Sequence, residues 1–169
     1  PARRRLAYDE FLAGQLSLAL VRQRLRKVAG VPVHATGVLS RPVIDALPFS
    51  LTNSQSTAIA DILKDMAGTD RMLRLLQGDV GSGKTMVALR AMLQAVDSGG
   101  QAVLLAPTEI LATQHHRGLV RTLGDLATAG RLAGGVEIRL LTGSMTQAQR
   151  QKVLLDTLTG EVDILVGTH

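Results

Sequence analysis

The chain has 169 residues, 46% of them hydrophobic, enough for a buried core and too many for wholesale disorder. It carries 19 Lys and Arg against 14 Asp and Glu, and no cysteine, which excludes a disulfide framework and any thiolate metal or redox site. Only Tyr8, Phe11 and Phe49 are aromatic, so a surface that grips single strands by stacking bases on rings is not encoded.

The first 28 residues form a basic arm. Arg3, Arg4, Arg5, Arg22, Arg24, Arg26 and Lys27 face only Asp9 and Glu10, so this segment accounts for the whole +5 of the chain. Phe11, Leu18 and Leu25 recur every seventh position, with Leu12, Leu16 and Leu20 beside them, which predicts one amphipathic helix over 3–27. Such an apolar face is expected to be buried as a packing strut, leaving its arginines mainly solvated; the alternative is a nucleic-acid contact in which Arg22, Arg24 and Arg26 meet phosphates. Residues 29–50 lose the period, with Gly30, Pro32, Gly37, Pro42 and Pro48 as punctuation, and read as a connector. No apolar run approaches the ~18 residues of a membrane span.

From Leu51 to His169 helix and strand patterns alternate. Thr52 and Ser54 can cap a helix running to about Met66. The apolar run Met72–Gln77 reads as a strand. A helix from Lys84 to about Val96 follows and stops at Ser98-Gly99-Gly100. Next come a strand at Ala102–Ala106, a helix from about Ile110 to Leu126, a strand at Val136–Leu141, a helix from about Thr146 to Leu158, and a strand at Val162–Val166. Continuous apolar strands separated by helices predict an α/β fold, a parallel sheet with helices on both faces.

Between the first strand and its helix lies Gly78-Asp79-Val80-Gly81-Ser82-Gly83-Lys84-Thr85, which fits G-x-x-x-x-G-K-[ST]. Glycines at this spacing let successive backbone N–H groups turn inward around phosphate oxygens. Lys84 reaches the β- and γ-phosphates, Thr85 offers a hydroxyl to Mg²⁺, and the following helix aims its positive end at the anion. The motif therefore predicts a nucleoside triphosphate with Mg²⁺. Gln55, upstream, has an amide that can read adenine, although an exposed Gln in a first helical turn is also ordinary. His115 and His116 are adjacent, point about 100° apart on a helix and make a poor chelate.

Taken together, LLQGDVGSGKT, LLAPTEILATQHH, LLTGSMTQAQR and DILVGTH resemble the superfamily 2 helicases, and more narrowly the branch-migration DNA helicases. The opening ARRRLAYDEFLAGQLSLAL and LPFSLTNSQ share that resemblance, which therefore covers essentially the whole chain. It implies an incomplete RecA-like P-loop domain preceded by a helical connector, divided as 1–28, 29–50 and 51–169. It implies that the nucleotide is ATP, with adenine contacts from Phe49 and Gln55, and catalytic roles for Lys84 and Thr85. It further implies DNA-backbone contacts from Pro107, Thr108 and Glu109, from Thr142, Gly143 and Ser144, and from Gly167, Thr168 and His169. The expected activity is ATP-driven remodelling of branched DNA in recombination and repair, in the cytoplasm at the nucleoid.

The transcription-repair coupling helicases share GDVG and GKT, but usually have an aromatic at position 82 and Glu at position 86, where this chain has Ser82 and Met86. A nucleotide-binding switch module that only changes shape is the reading from another class. The family's acidic DEQH motif follows GTH, and this sequence stops at His169. These residues alone are therefore expected to be inactive, and to self-associate through strands left without neighbours.

Overall fold

The computed structural model describes residues 2–26, 29–34, 36–129 and 134–168. Its elements in order are α1 (Ala2–Arg26), α2 (Ser40–Asp45), α3 (Asn53–Met66), α4 (Lys84–Asp97), β1 (Ala102–Leu105), α5 (Glu109–Leu123), α6 (Asp125–Thr128), β2 (Ile138–Leu141), α7 (Gln147–Leu158) and β3 (Ile164–Gly167).

Local chemistry explains where the helices begin and end. Threonines open three of them: Thr52, Thr108 and Thr146 accept from the backbone N–H groups of Gln55, Leu111 and Gln149. Gln55 and Gln149 return the bond to the Thr52 and Thr146 N–H groups and complete reciprocal caps. The helix expected to run unbroken to Leu126 is interrupted at Gly124, whose φ of 51° lies in the region that favours glycine. A short second helix, α6, follows that turn.

The three strands form one parallel sheet in the order β1-β3-β2, with Ala102 and Ile138 both in register with Ile164. One face of the sheet meets α4 and α5. Leu89, Met92 and Leu93 from α4 pack with Ala112, Leu119 and Leu123 from α5 over Ile138, Ile164 and Val166. A smaller cluster joins α3 to α4 through Ile59, Ile62 and Val87, with Leu76 against it. At β1 the other face is open, since Val103 and Leu105 are exposed.

Residues 71–79, expected to include a strand, have no strand assigned to them. Leu73 and Leu75 are exposed, at 71% and 86%. A strand is defined by its ladder, and no described segment pairs along this run; apolar pattern alone cannot supply a partner. Side chains hold the run instead: Arg74 reaches Asp65 at 2.6 Å, and an open groove of about 530 Å³ separates Arg74–Gln77 from α3.

The connector is docked rather than free. Gly30 N–H donates to Thr69 O and Val33 N–H to Met66 O, while α2 buries Ser40 and Val43 against the main core. Asp97, at the end of α4, accepts from the Thr36 hydroxyl at 3.1 Å and from the Gly37 N–H at 2.5 Å. By contrast, the apolar residues described on α1 are not covered by the rest of the chain. Leu6, Tyr8, Phe11, Leu16, Leu18 and Leu20 are all exposed, so the expected burial of this face is not met within these residues. Among the described residues, no helix is long and apolar enough to cross a membrane.

Candidate nucleotide and nucleic-acid sites

The glycine-rich loop leads directly into α4, whose N-cap is Gly83 in the left-handed conformation, without a side-chain cap. Three other helices spend a threonine hydroxyl on their first turn; α4 leaves its leading N–H groups available to an outside acceptor. Gly81 and Gly83 have φ of 81° and 80°, and the Ser82 N–H donates to Asp79 O at 3.2 Å. Lys84 folds back over the loop, its Nζ donating to Gly78 O at 2.7 Å and to Asp79 O at 2.6 Å. The ammonium is thus held by carbonyl dipoles above the loop. An anion placed there would meet a positive charge and the positive end of a helix together. Val80 and Thr85 are exposed on the same loop and first turn.

Gln55 is part of this construction. Its Nε2 donates to Ser82 O at 2.9 Å while its Oε1 accepts from the Thr52 N–H at 2.9 Å. A Cβ on Gly83 would collide with the same amide nitrogen. An amide has two N–H donors and two oxygen lone pairs, so one of each remains for a ligand. Phe49, just before α3, is 54% exposed and available as an apolar surface.

The remaining candidate residues gather at one end of the sheet. Three parallel strands must end at the same edge, so the loops after Leu105, Leu141 and Gly167 lie side by side there. The Ala106 N–H donates to Gly167 O at 2.8 Å, and the Thr168 N–H to Leu141 O at 3.3 Å. A Cβ on Gly167 would come within 2.5 Å of Leu141 O, so glycine is required for this approach. Thr142 is buried, its Oγ1 lying 3.1 Å from Ser144 Oγ, whereas Pro107 and Thr108 are exposed. Glu109 Oε1 accepts the Ser144 N–H at 2.9 Å, which links the β1–α5 and β2–α7 loops. Its hydrogen bonds with Ser144, followed by one from the Gly143 backbone, hold this carboxyl below its ordinary range, although it is only half-buried. His169 lies outside the described residues.

The glycine loop and the strand-end loops are legible in the sequence, whereas the bonds that Glu109 and Asp97 make are not. Asp97 carried no signal at all, because its partners lie 60 and 61 positions away. Asp163 occupies the opposite edge, just before β3, where its carboxylate accepts the Glu137 N–H at 2.8 Å. Among the described residues there is no group of three or more His, Cys, Asp or Glu that could hold a metal ion.

Comparison with known proteins gives a consistent result. The sequence profile of the DEAD/DEAH box helicases matches residues 52–169. The ATP-dependent DNA helicase RecG of Aquifex aeolicus is 42% identical over 98% of this chain and 20% of its own length. That of Mycobacterium leprae is 44% identical over 99% of this chain and 23% of its own. A solved structure of RecG bound to a three-way DNA junction superposes with a TM-score of 0.85 and 39% identity, covering 99% of this chain and 22% of that one. The yeast DEAD-box splicing factor Prp28, at a TM-score of 0.51 and 20% identity, shares the fold. The chain therefore spans about a fifth to a quarter of the length of the RecG relatives it matches.

Proposed function

The chain belongs to the DEAD/DEAH box helicase family, a family of ATP users, and from that premise we propose that it is the nucleotide-binding part of a RecG-type motor acting on branched DNA. The observation that carries this reading is the glycine loop with Lys84 poised over it, in front of a helix without a side-chain cap. ATP supplies the phosphoanhydride bond whose cleavage drives such a motor.

The residues present fit that group. Gly81 and Gly83 keep the loop open to phosphate oxygens, since each has a positive φ that a side chain would strain. Lys84, now on two backbone carbonyls, would hold the β- and γ-phosphates, where it would meet full opposite charges in place of dipoles. Thr85 would hold Mg²⁺ through its hydroxyl. Gln55, anchored to Ser82, would read the adenine edge with its remaining donor and acceptor, and Phe49 would offer an apolar surface to the base. The protein's contribution here is binding and orientation.

At the sheet edge, Pro107 and Thr108, Thr142 to Ser144, and Gly167 and Thr168 would meet the sugar–phosphate backbone. Hydroxyls and amides suit this role because they reach phosphate oxygens without reading base sequence. Ligands of open parallel sheets bind beyond the carboxyl ends of the strands. Helix α1 acts as a strut whose apolar face packs on a neighbouring part of the machine, and the site of work is the cytoplasm, at the nucleoid.

Hydrolysis needs a carboxylate to help position Mg²⁺ and the attacking water. Among the described residues, Asp79 lies within the loop, Asp163 lies at the far edge, and Glu109 is engaged with Ser144. We therefore expect these 169 residues alone to bind nucleotide weakly and not to turn it over. The open face of β1 and the unpaired run at 71–79 favour self-association of the isolated chain. Titration calorimetry with ATP and Mg²⁺ tests the binding site. Binding should be measurable for the natural sequence and lost in Lys84→Ala, and equal affinity for both would refute the assignment.

A further inference from the structure

A carboxylate is an odd component for an edge that receives phosphates. Glu109 is the first residue of α5, yet its Oε1 accepts the Ser144 N–H across 35 positions of sequence. The same oxygen lies 2.9 Å from where a Cβ on Gly143 would stand, so position 143 has little room for a side chain while Glu109 holds this pose. Next to it, Ser144 Oγ and Thr142 Oγ1 lie 3.1 Å apart. One carboxylate thus fixes the backbone of a loop whose hydroxyls and amides are its only means of holding an anion.

We propose that Glu109 is a positioning residue with two opposed effects on DNA: it braces the 142–144 loop in its binding shape, and its negative charge restrains the affinity of that edge for phosphates. The proposal rests on the reading that this edge receives DNA. A neutral acceptor such as Asn or Gln could brace the loop equally well, so the charge needs its own account. A motor that moves along a backbone has to release each phosphate it grips, and a fixed like charge beside the contact loosens that grip.

Two substitutions separate the effects. Glu109→Gln keeps the acceptor oxygen and removes the charge, whereas Glu109→Ala removes both. With the intact protein and a fluorescein-labelled three-way DNA junction, Glu109→Gln should bind two- to threefold more tightly than the natural sequence at low salt. That gain should shrink as salt screens the charge. Glu109→Ala should bind at least threefold more weakly than Glu109→Gln, since the two differ only in the brace. Hydrogen exchange at the Ser144 amide reads the brace without DNA: fast in Glu109→Ala, and close to the natural sequence in Glu109→Gln. Equal junction affinity and equal Ser144 exchange in the two variants would overturn the brace. Weaker binding by Glu109→Gln than by the natural sequence would overturn the charge effect. No junction binding by the natural sequence would overturn the DNA reading and the charge effect together, with Ser144 exchange still deciding the brace.

Discussion

Substituting Gly83 by alanine perturbs the nucleotide loop in two separable ways. The residue sits at φ 80°, where an L side chain costs about 1–2 kcal/mol. The new methyl also meets the Gln55 amide nitrogen, which now donates to Ser82 O at 2.9 Å. Moving Gln55 away sacrifices that bond, at about 0.5–1.5 kcal/mol, and loosens the cap it shares with Thr52. The expected total is about 2–3 kcal/mol, a large fraction of the roughly 5–15 kcal/mol that holds a domain together. Gly81 provides the control: its φ is 81°, but nothing lies within 4 Å of a Cβ there, so Gly81→Ala should show the backbone term alone. Urea unfolding of Gly83→Ala, Gln55→Ala and the double variant measures the coupling. Once Gly83→Ala has displaced the amide, removing it should cost little more, so the double variant should be about 1 kcal/mol more stable than the sum of the singles predicts. Strict additivity, or equal losses for Gly81→Ala and Gly83→Ala, would refute the reasoning.

Asp97→Ala should release the connector from α4, at a cost of about 1–2 kcal/mol in urea unfolding and with faster exchange of the Gly37 amide; an unchanged amide would show that other contacts hold residues 36–37. Hydrogen bonds from Ser144 lower the Glu109 pKa, so the stability this carboxylate contributes is fully present above its ordinary value of 4.5 and is lost as pH falls through the lower folded value. An NMR titration should place its midpoint below 4.5, and a midpoint at or above it would contradict the bond. Sedimentation of the isolated chain should show concentration-dependent association that Val103→Lys or Leu105→Lys reduces, and a monomer at all concentrations would remove the argument from the open face of β1.

What could be read in the sequence divides along a physical line. Threonine caps, glycine stops and helical periods are local, and they located α3, α4, α5 and α7 to within a few residues. The glycine loop was equally legible because its chemistry sits in consecutive residues. Gly124 offered a usable signal, a glycine after Leu123 with Arg121 in the preceding turn, yet the apolar pattern carried the expected helix past it. Met72–Gln77 reads as a strand by pattern, and α1 reads as a buried face, but strand pairing and burial both require a second surface that no local pattern supplies. The same holds for the Glu109–Ser144 and Asp97–Gly37 bonds, which tie together segments far apart in sequence.

The central claim is that nucleotide held at Gly78–Thr85 powers work on branched DNA, and phosphate release tests it most directly. With the intact protein, a three-way DNA junction should stimulate ATP turnover, and Lys84→Ala should abolish it, while the isolated 169 residues show no turnover with or without DNA. Turnover that ignores DNA, or that survives Lys84→Ala, would contradict the account.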